Sequence, residues 1–213
     1  MANDNRIKLT NVRITFPKLF KGQEEAFENK GDPYYGASFL FEKNDPQLEK
    51  LRAGVVTAAK AKFGDKAEDM LRTFRAKDKL PVHDGVLKAN KPYGAAYAGK
   101  LYLSARNNAR TNPPIPVFDN VIDPATGKAR EILSPTDPKA PYSGCYVTVF
   151  VNLFGYNAGG GQGVGASIAG VQFFKDGERL AGGVSSSADD YDAIPDESVA
   201  KVAESGKGAS ALF

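Results

Sequence analysis

Apolar residues recur at every second position through much of the chain, and residues 142–157 hold the longest such run. Cys145, Val147, Val149, Val151 and Leu153 share one face of the strand this period predicts. Tyr146, Thr148, Phe150, Asn152, Phe154 and Tyr156 share the other. A strand buried on both sides reads aliphatic on both, and a solvated face reads charged. Rings interleaved with Thr and Asn match neither and suit a wet face that offers flat surfaces to a flat ligand. Residues 100–106 repeat the pattern, with Leu101, Leu103 and Ala105 on one side and Lys100, Tyr102, Ser104 and Arg106 on the other. Cations alternating with a ring complement an anionic polymer with stackable bases. The same pattern also arises where rings pack beneath a loop or helix and cations solvate an edge.

The remaining periodicities predict three more strands and two helices. Residues 6–16 alternate through Ile7, Leu9, Val12, Ile14 and Phe16, slipping phase at Thr10–Asn11, where a β-bulge is expected. Residues 33–43 place Tyr35, Ala37, Phe39 and Phe41 on a core face, and Tyr34 on the opposite face or at an edge. Asn44 or Asp45, followed by Pro46, starts a helix with Leu48, Leu51, Val55, Ala59 and Phe63 on its buried side. Gly64 stops it, and a second helix carries Ala67, Met70, Leu71 and Phe74 inward. Residues 80–99 read as a long loop, 115–122 and 129–133 as a hairpin, 158–165 as a flexible glycine-rich connection, and 166–175 as the last strand.

Composition narrows the class. The 213 residues are 42% hydrophobic with 22 Gly and 13 Pro, which suits one mainly β domain with long loops. A single cysteine excludes a disulfide framework and points to a reducing cytoplasm. No apolar run reaches membrane-spanning length, and no signal-like segment follows the start. The net charge of +3 is uneven: residues 184–213 hold six acids and two lysines, leaving the body near +7. That terminal segment loses all periodicity and is expected to be disordered. The domain expectation is therefore 1–183 plus a tail, 184–213.

Catalytic chemistry finds no constellation. His83 is the only histidine, and Cys145 belongs to an aliphatic strand face. Gly161, Gly163 and Ala166 match a relaxed dinucleotide fingerprint, but the following residues read as strand where that motif needs a helix. An enzyme, a metal site and a cofactor are not expected.

Three motifs carry a resemblance over residues 6–183: the run Tyr142-Ser-Gly-Cys-Tyr-Val, the glycine-rich turn to Gly165, and Gly170-Val-Gln-Phe-Phe-Lys-Asp-Gly-Glu. With them the chain resembles the bacteriophage single-stranded-DNA-binding proteins, small OB-fold proteins. The resemblance implies a five-stranded OB barrel, here with a helical insertion between strands two and three, and residence in the cytoplasm of an infected bacterium. It implies that an acidic tail closed by an aromatic residue recruits replication and recombination proteins, which falls here on Asp189, Asp190, Asp192 and Phe213. On this reading Tyr93, Tyr97, Tyr102, Phe154 and Tyr156 stack bases, while Lys88, Lys91, Lys100, Arg106 and Arg110 meet phosphates. The tail competes for the basic surface, and the protein self-associates on DNA. The alternative is a phage structural or assembly protein whose aromatic face contacts other subunits.

Overall fold

The structure is a computed structural model, and it describes residues 6–27, 30–91, 93–158 and 161–180. Nine strands form one sheet: β1 (Arg6–Lys18), β2 (Glu25–Phe27), β3 (Lys30–Glu42), β4 (Val82–Asp84), β5 (Lys100–Asn108), β6 (Val117–Asp123), β7 (Lys128–Glu131), β8 (Tyr146–Ala158) and β9 (Gly161–Lys175). Their order is β4-β5-β3-β1-β8-β9-β6-β7, with β2 paired to β3 alone. All pairs are antiparallel except β6 with β9. The five strands expected for an OB barrel are thus part of a nine-stranded sheet, and among the described residues no backbone ladder closes it. Two of the additions, β2 and β4, are three residues long and cannot express a period.

The sheet curls all the same. The Asn107 side chain on β5 donates to the Ile168 carbonyl on β9 at 2.9 Å and accepts from the Ile168 amide at 2.8 Å. One side chain thereby reproduces both bonds of a ladder rung where the backbones do not pair. The curl encloses a core to which β1 gives Leu9, Val12 and Ile14, β5 gives Leu103 and Ala105, and β8 gives Val147, Val149, Val151 and Leu153. Tyr35, Ala37, Phe39 and Phe41 of β3 join them, as their alternation required.

Between β3 and β5 run α1 (Gln47–Phe63) and α2 (Ala67–Ala76). Asp45 starts α1 by accepting from the Gln47 amide at 2.8 Å. Gly64 ends it at φ 54°, a conformation that favours glycine. Leu48, Leu51, Val55 and Ala59 are buried, and Phe63 meets Phe74 of α2 with ring centroids 5.4 Å apart. The register of β1 against β8 shifts between Leu9 and Val12, and Asn11 sits at φ 52°, so the bulge lies where the phase slipped. Phe16 departs from expectation. At φ 48°, beside a second register shift between Thr15 and Lys18, it leaves the inward alternation and turns to the sheet's outer surface.

Ala158 and residues 161–165 are also not a loose connection, because β8 and β9 pair continuously from Leu153–Ala166 to Ala158–Gly161. The glycines belong there for packing. A Cβ on Gly165 would lie 2.9 Å from the Phe154 ring, and one on Gly163 would lie 2.5 Å from the Tyr156 hydroxyl. Rings from β8 cover the bare positions of β9 and replace the side chains a strand normally supplies.

Candidate nucleic-acid interface

Alternation sends Tyr34, Gly36, Ser38 and Leu40 of β3, and Tyr102, Ser104 and Arg106 of β5, to the outer face opposite the core. Arg13 and Thr15 of β1 lie beside them. Two 3-10 turns, Gly85–Lys88 and Gly94–Tyr97, fold back over part of this face. Asp84 opens the first by accepting from the Val86 amide at 3.0 Å. A side chain at Gly85 would put its Cβ 2.0 Å from the Tyr97 carbonyl, so the turns fit together only with glycine there.

Tyr97 fastens this segment. Its hydroxyl meets Thr15 Oγ1 at 2.7 Å in a fully buried bond, and its ring stands edge-on to Tyr102 at 5.2 Å. His83, whose Nδ1 is 2.7 Å from Asp78, stacks on Tyr102 at 5.0 Å. Leu40, Tyr97 and Tyr102 therefore form a small second core beneath the segment. Tyr97 is 1% exposed and Tyr102 6%, so neither presents a ring face for a base to stack on. Burial pushes the Tyr102 phenol up to about 12 and raises that of Tyr97.

What stays open beside that core is a groove of about 240 Å³. Its rings are Phe16, Tyr34 and Tyr93, and its cations Lys18, Lys88 and Arg106. The Arg106 guanidinium lies 4.7 Å from the Tyr34 centroid and the Lys18 ammonium 5.5 Å from it. Phe16 packs against Tyr93 at 4.3 Å. Lys88 sits 5.6 Å from the Tyr102 ring. Burial, and then the charges of Arg106 and Lys91, hold its ammonium below the usual lysine range. An ammonium depressed in this way attracts any anion that relieves it. Gly36, between Arg106 and Lys18 in the register, keeps the floor clear, since a Cβ would lie 2.6 Å from the Ala105 carbonyl.

The residues expected from sequence thus divide. Tyr93, Lys88 and Arg106 line the groove, and Lys91 lies outside its lining, close enough for its charge to act on Lys88. Tyr97 lines it from the buried side, and Tyr102 lies outside its lining, in the small core against Tyr97. Lys100 is ion-paired with Glu42, and Arg110 with Asp32 at 2.7 Å. Phe154 and Tyr156 lie elsewhere. Tyr102, Leu40, Arg13 and Tyr146 form one cross-strand row, and Phe154 is eight positions farther along β8, roughly 26 Å at 3.3 Å per residue. Phe154 is 43% exposed above Gly165. Asp189, Asp190, Asp192 and Phe213 lie outside the described residues.

Phe16 and Lys18 complete the groove without having been singled out as ligands, and Tyr34, which the pattern left between the ligand face and an edge, joins them. Tyr34 had a visible signal, since it shares its strand face with Gly36 and Ser38, small residues that leave a ring uncovered. Phe16 had none, because its alternation with Val12 and Ile14 points inward and only the backbone twist reverses it.

Other concavities carry different chemistry. One, of about 850 Å³ between α1, α2 and β4, is predominantly apolar and does not include the basic groove. Cys145 is fully buried, with its thiol pushed up to about 11 by burial, which removes it as a nucleophile. Among the described residues no group of three or more His, Cys, Asp or Glu is placed to hold a metal ion, and no helix is long and apolar enough to cross a membrane.

The family model described as Enterobacter phage Enc34, ssDNA-binding protein, matches residues 5–201. The chain belongs to this family. Its curated relative, protein p50 of Acyrthosiphon pisum secondary endosymbiont phage 1, is 36% identical over 192 residues, 88% of this chain and 92% of the relative. Among solved structures the fold is similar to the single-stranded DNA-binding protein from bacteriophage Enc34 in complex with ssDNA. That match has a TM-score of 0.62 and 20% identity, over 83% of this chain and 90% of that one. Another structure of the Enc34 protein matches with a TM-score of 0.60 and 22% identity, over 88% and 90%. This Enc34-family chain is a mainly β protein similar in fold to those structures.

Proposed function

We propose that the chain binds single-stranded DNA without sequence preference, protecting and organising it during phage replication, recombination and repair in the cytoplasm of the infected host. One observation carries the reading: in a single open groove, Tyr34 lies beneath two cations, Arg106 and Lys18, next to the Phe16–Tyr93 ring pair. Rings stack any base and cations meet every phosphate, so the arrangement needs no particular sequence. Family membership supports it. Tyr34, Tyr93 and Phe16 stack bases; Lys18, Lys88, Lys91 and Arg106 hold phosphates. Lys100, Arg110, Phe154 and Tyr156 serve only strand that extends past the groove. The body, 1–183, is read as an OB-type barrel of β1, β3, β5, β8 and β9, a reading supported by the Asn107 bridge. Residues 184–213 regulate binding by competing for the groove, and recruit replication and recombination proteins through Asp189, Asp190, Asp192 and Phe213. No step of this function is catalytic.

Fluorescence anisotropy with labelled oligo-dT at two salt concentrations tests it. Affinity should fall with salt at a slope of roughly −3 if about four phosphates are held, each contributing about 0.7. Replacing Tyr34 and Tyr93 with Ala should cost about 1–3 kcal/mol per lost stack while leaving the melting curve intact. Absence of binding at low salt, or full affinity in the folded double variant, overturns the groove.

A further inference from the structure

A second basic and aromatic site lies on another part of the same outer surface. Phe150 of β8 projects outward opposite Gly170 of β9 and beside Lys8 of β1. The Arg6 guanidinium stands 4.5 Å from the Phe150 centroid and the Lys8 ammonium 5.7 Å. Phe118 of β6 and Lys128 of β7 complete a pocket of about 380 Å³ whose floor is Gly170. Several arginines and lysines elsewhere are answered by a carboxylate: Lys100 by Glu42, Arg110 by Asp32, Arg130 by Asp119 and Asp137, Lys43 by Asp84. Among the described residues no carboxylate comes within 4 Å of the charged groups of Arg6, Lys8 or Lys128. Two cations over a half-buried ring, with Lys128 lining the same pocket, form a seat for a group that is flat and anionic at once.

Gly170 sharpens the point. The glycines beneath Phe154 and Tyr156 are required because a Cβ would collide. A Cβ at Gly170 would meet only the Pro116 carbonyl, at an ordinary 3.6 Å. Packing does not demand glycine there, and its bareness leaves the pocket floor open.

We propose that this pocket is a second subsite for single-stranded DNA, in which Phe150 stacks one base and Arg6, Lys8 and Lys128 hold the flanking phosphates. The inference rests on the groove reading and extends it. Both sites use β1: Lys18 at one end serves the groove, and Lys8 and Arg6 at the other serve the pocket. Ten residues separate Lys18 from Lys8, roughly 33 Å of strand at 3.3 Å per residue. Between them Arg13 is covered by the segment after β9, donating to the Gly144 and Glu178 carbonyls at 3.2 and 2.8 Å. DNA must cross this covered stretch to fill both sites, so a short oligonucleotide occupies one and a long one occupies both.

Titrations of the full chain with oligo-dT of about 8 and about 25 nucleotides, bracketing the reach of one OB-type site, distinguish the subsites. Phe150→Ala, and separately Arg6→Ala with Lys8→Ala, should leave affinity for the short oligonucleotide within about twofold. Each should weaken the long one roughly tenfold, and the double variant should reduce its salt slope by about 1.4, two phosphates at 0.7 each. Gly170→Val, which fills the pocket without removing any interaction, should reproduce the loss on long DNA with an unchanged melting curve. Unchanged affinity of all three variants for the long oligonucleotide overturns the subsite and leaves the groove standing. Equal losses on both lengths overturn it as well. Failure of the unmodified protein to bind either length removes the groove reading and the subsite together.

Discussion

Four tyrosines on one outer face meet different fates, decided by residues 85–97. Tyr97 comes from that segment and is pressed against Thr15, Tyr102 lies under it, and Tyr34 and Tyr93 border the gap it leaves. Period-2 alternation assigns Tyr102 to its face correctly but carries no information about what covers that face. Charge patterning has the same blind spot: Lys100 and Arg110 look available until Glu42 and Asp32 are placed beside them. Cys145 shows the converse, a residue whose environment its neighbours in sequence do reveal. With its thiol pushed up to about 11, the folded protein should present about a thousandth of its sulfur as thiolate at pH 8. A chromogenic aromatic disulfide should therefore label it only after urea unfolding, and rapid labelling in native buffer would contradict the burial. The sign for stability follows. The fold favours the neutral thiol, so this contribution is complete below the unfolded value near 8.5 and declines as pH rises toward 11.

Strands and helices differ in how local their causes are. The bulge at Asn11, the stop at Gly64, the two helices and the β6–β7 hairpin follow from residues within a few positions of each other, and were legible in the pattern. The β8–β9 hairpin was only half legible, because the side chains that stiffen Gly163 and Gly165 come from the facing strand. Glycine-rich composition by itself indicates a linker. Circumference was not legible at all, since it depends on Asn107 and Ile168, 61 residues apart. Asn107→Ala removes both bridging bonds and leaves the buried Ile168 amide without a partner. It should cost about 2 kcal/mol in urea unfolding, within the range for an unsatisfied buried polar group. An unchanged midpoint would mean that water replaces the bridge and that inter-strand packing alone holds the curl.

For the whole molecule, charge distribution is the governing quantity. A body near +7 and a terminal segment at −4 attract each other over distances comparable to the screening length, about 8 Å at physiological salt. On the proposed reading, a chain ending at residue 183 should bind oligo-dT more tightly than the full chain at low salt, with the difference shrinking as salt rises. Equal constants at low salt would remove the competition. The buried bond between Tyr97 and Thr15 adds a kinetic consequence. On the proposed reading, because the segment bordering the groove is anchored to the sheet before any ligand arrives, capture should not wait for a loop to order itself. Encounter should then proceed near the electrostatically steered limit, and variants of the groove rings should differ mainly in how long a captured strand stays.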